Sequence, residues 1–151
     1  MSWQGHVDKL VATKQIIGAI ILGHEGKIYA CSPSLKIVPH EVSISTEDGG
    51  SQKVQVDEAK VLVEAGLNGG ELKGPGGVWI NNKKYHLIDW RKDDKSNVGY
   101  YKCVNGGATI AKTNKCVIVG VWMTDESNKQ SGGNCNKLIE KLAEDFIKVK
   151  Y

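Results

Sequence analysis

At 151 residues, with 40% hydrophobic content and a net charge of +3, the chain is long enough to bury a core and short enough to form one domain over 1–151. No stretch approaches the roughly 20 apolar residues that a bilayer-spanning helix needs, and no basic segment followed by an apolar run marks an export signal. The expectation is a cytoplasmic protein that is not transmembrane.

Ser2 is a good helix cap, and Trp3, Val7, Leu10 and Val11 follow at i, i+4, i+7 and i+8, which predicts a short helix ending near Thr13. Gln15–Gly23 reads as a buried strand, His24-Glu25-Gly26 as a turn and Lys27–Cys31 as the returning strand. After Ser32-Pro33-Ser34, the stretches Glu41–Thr46 and Gln52–Val56 alternate apolar with polar residues about a turn at Glu47–Ser51, the pattern of an extra hairpin. Asp57 opens a second helix that Gly66 stops, and the glycine-dense 67–77 is loop. From Val78 a meander follows over 78–80, 85–90, 98–104, 108–112 and 115–122, with turns at Asn81–Lys83, Arg91–Asn97, Asn105–Gly107 and Thr113-Asn114. Asn134 and Asn136 offer caps for a terminal helix with the stripe Leu138, Ile139, Leu142, Phe146 and Val149. Tight turns imply antiparallel pairing. The order predicts an α+β fold: a central antiparallel sheet of about six or seven strands, N- and C-terminal helices packed together on one face, and an extra hairpin near residues 36–56.

Enzyme signatures are absent. There is no G-x-S-x-G, P-loop, H-E-x-x-H or dinucleotide fingerprint. The glycine-rich 68–77 precedes a strand rather than a helix and so lacks the dipole of a phosphate-binding loop. His6, His24, His40 and His86 are scattered, and Cys31, Cys103, Cys116 and Cys135 lack zinc-ligand spacing, reading instead as free buried thiols. No catalytic residue, metal or cofactor is expected, and a binding protein becomes the leading class. Charge is uneven: residues 81–115 carry +5, residues 1–80 carry −2 and the remainder is neutral. This basic middle points either to an acidic partner or simply to solvated strand faces. Nucleic acid is not the expected partner, because no recognition motif or aromatic stacking platform accompanies the charge.

Three stretches together resemble the profilin family. The start MSWQ with His6 and Val7-Asp8 is similar to the profilin opening, in which a Trp and a Tyr lie on the first helix. AIILGHEGKIYACSP is similar to the family's strand-turn-strand, and NGGATIAKTNKCVIVGVW to its Gly-Gly-x-Thr-Ile-x-Lys-Thr hairpin. Asn136-Lys137 near the start of the last helix and an aromatic final residue fit as well. The departure is the segment Lys36–Val56, about a dozen residues longer than the family pattern, which the extra hairpin explains as an insertion.

The resemblance implies two binding faces and no active site. One is a groove for proline-rich segments made by Trp3, His6, Tyr29, Phe146 and Tyr151. There His6 replaces a Tyr, Tyr29 a Trp and Phe146 a Leu, while Trp3 and Tyr151 match. Taken alone, Trp3 and Phe146 also read as ordinary core residues of amphipathic helices. The other face would hold monomeric actin through Lys84, His86, Ile88, Gly133, Asn136 and Lys137. Asp89 stands where many members have Arg or Gln, and Lys141 where some have Glu. Lys83, Lys84, Lys92 and Lys112 are candidates for phosphatidylinositol bisphosphate headgroups. The function implied is regulation of actin filament assembly by a cytoskeleton-associated monomer that also docks on proline-rich proteins such as formins. Two alternatives stay open: a module of the same fold that keeps only the proline-rich face, and a small-ligand sensor of PAS-like type.

Overall fold

The computed structural model describes residues 2–37, 39–73, 77–93 and 97–151, apart from the side chain of Ile44. In chain order it contains helix α1 (Trp3–Ala12), strands β1 (Gly18–Gly23), β2 (Ile28–Cys31), β3 (His40–Ser45) and β4 (Ser51–Val56), and helix α2 (Glu58–Leu67). Strands β5 (Val78–Ile80), β6 (Lys83–Lys92), β7 (Asn97–Cys103), β8 (Gly106–Lys112) and β9 (Cys116–Met123) follow, then helix α3 (Gly132–Lys148). Seven strands form one antiparallel sheet in the order β2-β1-β9-β8-β7-β6-β5, while β3 and β4 pair separately as the expected hairpin. Parts of two expected loops, residues 74–76 and 94–96 (Lys95 included), lie outside the described residues.

Strands β8 and β9 are buried on both faces, which is why 116–122 reads as a continuous apolar run rather than an alternation. On one face Ile20, Leu22, Ile110, Val117 and Val119 pack against Leu62, Val63 and Ala65 of α2. On the other, Ala19, Ile21, Ala111, Ile118 and Trp122 meet Val7 and Leu10 of α1 and Ile139 and Phe146 of α3. Each large side chain so buried contributes about 1.5–3 kcal/mol. Gly120 is what lets α3 come this close, since a Cβ there would lie 2.6 Å from Ile139.

The start and end of α3 differ from the sequence expectation. Its cap is Ser131, whose Oγ accepts a bond from the Asn134 N–H at 3.2 Å, so Asn134 and Asn136 lie within the first turns. Gly132-Gly133 reads as loop because glycine is a poor helix former, yet the Ser131 cap satisfies an amide that would otherwise be orphaned. Asn136 instead accepts a bond from Thr109 Oγ1 at 2.5 Å, tying α3 to β8. Val149, expected on the buried stripe, is the C-cap and 61% exposed. Among the described residues no helix is long and apolar enough to cross a membrane.

The hairpin is tied to the body at its base. Glu58, 0% exposed, accepts bonds from His40 Nε2 at 2.5 Å and from the backbone N–H groups of Asn81 and Asn82 at 2.6 and 2.8 Å. Asn81 and Asn82 both have positive φ, the geometry of the tight turn joining β5 to β6. One carboxylate thus joins three elements: β3, α2 and that turn.

Candidate functional site

The two ends of the chain meet. Trp3 stacks on Tyr29 of β2 with centroids 5.1 Å apart, meets Tyr151 at 5.6 Å and lies edge-on to Phe146 at 5.7 Å. His6 contacts the same Phe146 at 5.0 Å. The five side chains expected from the resemblance are therefore contiguous. They are not equivalent, however: Phe146 is 2% exposed and forms the floor, Trp3, His6 and Tyr29 are half-buried, and Tyr151 is 43% exposed. Offset and edge contacts of this kind add about 0.5–1.5 kcal/mol per pair beyond burial.

Local chemistry fixes each ring. Ser2 Oγ accepts the Gly5 N–H at 3.0 Å and caps α1 just before Trp3. Gln4 Nε2 donates to the Cys31 carbonyl at 3.3 Å, holding α1 to β2. Tyr29 Oη donates to Glu25 at 3.0 Å, and this bond raises the phenol's pKa. At the other end α3 closes with a reversal of its backbone. The Lys150 N–H donates to the Ile147 carbonyl at 3.0 Å and the Tyr151 N–H to the Phe146 carbonyl at 2.8 Å, with Lys150 at φ 66°. This is the Schellman bonding pattern, and its usual apolar contact is here Tyr151 on Phe146. The Tyr151 carbonyl then accepts from Thr113 Oγ1 at 2.9 Å and from the Lys115 backbone N–H, while Lys115 Nζ lies 5.7 Å from the Tyr151 ring centroid. Sequence reading missed Thr113 and Lys115. Their only signal is a polar turn, residues 113–115, between two buried strands.

The second set of expected residues lies on β6 and the first turns of α3. Lys84, His86 and Ile88 are exposed on β6, and Ile88 sits in a β-bulge between the pairs Leu87↔Tyr101 and Asp89↔Tyr100, 64% exposed. Tyr100 Oη donates to Glu140, joining β7 to α3, and burial followed by that bond pushes its pKa up to about 12. Gly133 faces open space and Lys137 is exposed on the first turns of α3, whereas Asn136 is engaged with Thr109. Asp89 pairs with Arg91 at 3.3 Å, so its reversed charge is answered within the same strand.

The four lysines expected at lipid headgroups do not converge. Lys83 and Lys84 begin β6 and Lys92 ends it, on the order of 30 Å away for a ten-residue strand. Lys112 ends β8 beside Lys92's end of the sheet, and Lys83 Nζ already donates to the Val104 carbonyl at 2.7 Å. All four cysteines are free, with Cys31 half-buried and the others buried, and burial pushes the Cys135 thiol up to about 11. No group of three potential metal ligands converges among the described residues.

The profilin family model matches residues 1–151. The profilin of Tetrahymena pyriformis is 32% identical over 155 aligned positions, which cover 99% of this chain and 98% of that protein. The structure of Acanthamoeba castellanii profilin IA superposes with a TM-score of 0.69 at 26% identity, covering 99% of this chain and all of that one. LokiProfilin2, solved in complex with rabbit actin, shares the fold at a TM-score of 0.61 and 14% identity over 99% of each chain. With the match running the full length, and with the sheet order and terminal helices in place, the chain belongs to the profilin family.

Proposed function

We propose that the chain binds monomeric actin on one face and proline-rich segments on another, and through both regulates actin filament assembly in the cytoplasm. The observation that carries this reading is the approach of Trp3 to Tyr151 at 5.6 Å, which makes one partly exposed aromatic shelf from opposite ends of the sequence. A polyproline II segment is already extended and loses little entropy on docking. Flat rings suit proline rings, and the Trp3 indole N–H suits a peptide carbonyl, which in that helix has no internal partner.

Support for the actin face comes from the family and from LokiProfilin2, whose complex is with actin. Lys84, His86, Ile88, Gly133 and Lys137 form the candidate contact surface, with Asn136 holding α3 in place beneath it. Delivery would follow from occupying both faces at once, since tethering raises local concentration without any chemistry.

Tryptophan emission and actin association kinetics test the two faces together. A polyproline peptide is expected to change the emission, and Trp3→Ala to abolish the change; an unaltered wild-type spectrum removes the shelf. Lys84→Glu with Lys137→Glu is expected to slow actin association roughly tenfold at low salt. Wild-type rates in that variant would mean that actin, if bound, sits elsewhere.

A further inference from the structure

Beside the aromatic shelf, between α1 and α3, runs a groove of about 580 Å³. It starts at His6, whose ring also touches the shelf through Phe146, and continues past Leu10 to Thr13 and Gln15. Leu10, Leu138 and Leu142 give it an apolar lining. Its rims carry Lys9 from α1 and Lys137 and Lys141 from α3, against one carboxylate, Asp145, which is paired with Lys141 at 3.1 Å. From His6 to Thr13 is seven residues of helix and turn, about 10 Å, or roughly three residues of extended peptide.

We propose that this groove binds the residues flanking a proline-rich segment, and that it selects a flank of about three residues carrying carboxylates and one aliphatic side chain. The proposal rests on the shelf reading and adds the partner's chemistry. Continuity supports it: His6 borders both shelf and groove, so a peptide leaving the shelf past His6 meets the groove directly. Charge supports it too, because three cations against one acid leave an excess that a basic flank would meet with repulsion. Isolated lysines on a helix are usually solvated, but these come from two helices and line one concave surface with an apolar floor. His6 offers a reporter. Burial first, then neighbouring positive charge including Lys9, hold its imidazole below the usual value, opposed by Asp145. A carboxylate seated among Lys9, Lys141 and His6 would raise it.

The test uses the full chain and four peptides: a run of about ten prolines, the same run with Leu-Asp-Asp added at either end, and one with Leu-Lys-Lys. One acidic peptide is expected to bind about tenfold tighter than the plain run, and the basic peptide no tighter. Lys9→Gln with Lys141→Gln should remove the gain and leave plain polyproline affinity unchanged. The His6 pKa, followed by NMR, should rise in the acidic complex only. Equal affinities, a gain shared by the basic peptide, or a gain that survives the lysine changes would overturn the proposal. So would vesicles containing phosphatidylinositol bisphosphate shifting His6 in a Lys9- and Lys141-dependent way while the acidic flank adds nothing; the groove would then hold a lipid headgroup. A plain run that leaves Trp3 emission unchanged brings down the shelf and this extension with it. Tight binding of the plain run with no flank effect brings down the extension alone.

Discussion

Lys150 holds φ at 66°, a left-handed conformation in which a side chain costs roughly 1–2 kcal/mol and which glycine adopts freely. The strain is what turns Tyr151 back onto Trp3 and Phe146. Lys150→Gly should keep the reversal and change stability by no more than about 1 kcal/mol, because relief of strain is offset by a freer unfolded chain. Lys150→Val, β-branched and therefore less tolerant of positive φ, should lower stability by about 1–2 kcal/mol and weaken the polyproline-induced change in emission. Urea melts and peptide titrations of both variants check this; a Val variant with the wild-type response would show that the reversal does not place Tyr151. None of this was legible from periodicity, which continued the apolar stripe of α3 to Val149. A repeat of 3.6 residues cannot say where a helix stops when neither glycine nor proline marks the end. Only the family resemblance placed Tyr151 at the shelf.

The β3–β4 hairpin was legible because alternation on both sides of Glu47–Ser51 is hard to read any other way, and β3 and β4 pair in that register. How it attaches was not. Glu58 looks like an ordinary first-turn acid complementing the dipole of α2, and His40 like one of four scattered histidines. Burial of their pair became visible only once α2, β3 and the β5–β6 turn were brought together. Glu58→Ala strands two backbone amides and one imidazole, a loss of about 3–5 kcal/mol. The distal hairpin, by contrast, is mostly exposed beyond Val42 and Val54. Replacing residues 43–53 with Asn-Gly, which suits a two-residue hairpin turn, should change stability by less than about 1 kcal/mol and leave the polyproline response intact. A collapse comparable to that of Glu58→Ala in thermal melts would mean that the hairpin tip supports the core. The cap of α3 follows the same logic as Glu58: two glycines obscured Ser131, and the bond that reveals it joins residues in a geometry that composition cannot express.

Helix α3 sets the spacing between the two proposed faces. Gly133 at its start and Phe146 near its end are thirteen residues apart, about 20 Å along the axis. The shelf is built from the N-terminus of α1, β2 and the C-terminal end of α3, while the candidate actin surface uses β6 and the first turns of α3. No shelf ring belongs to the second set, so a plain proline run need not displace actin, whereas a flanked peptide reaching the groove rim shares Lys137 with the actin surface. Ile139, Ala143 and Phe146 bury α3 against the sheet, so a change at one face has to repack this core before it can reach the other. Saturating actin monomer, kept from polymerising, should therefore change the dissociation constant of a plain polyproline peptide by less than about twofold. Because coupling between two binding equilibria is reciprocal, saturating peptide should leave actin affinity equally unchanged. Fluorescence titration of the peptide with and without actin reads the first quantity directly. Competition would place the actin contacts over the shelf, and a ternary complex with unchanged constants is what delivery of an actin monomer to a filament end requires.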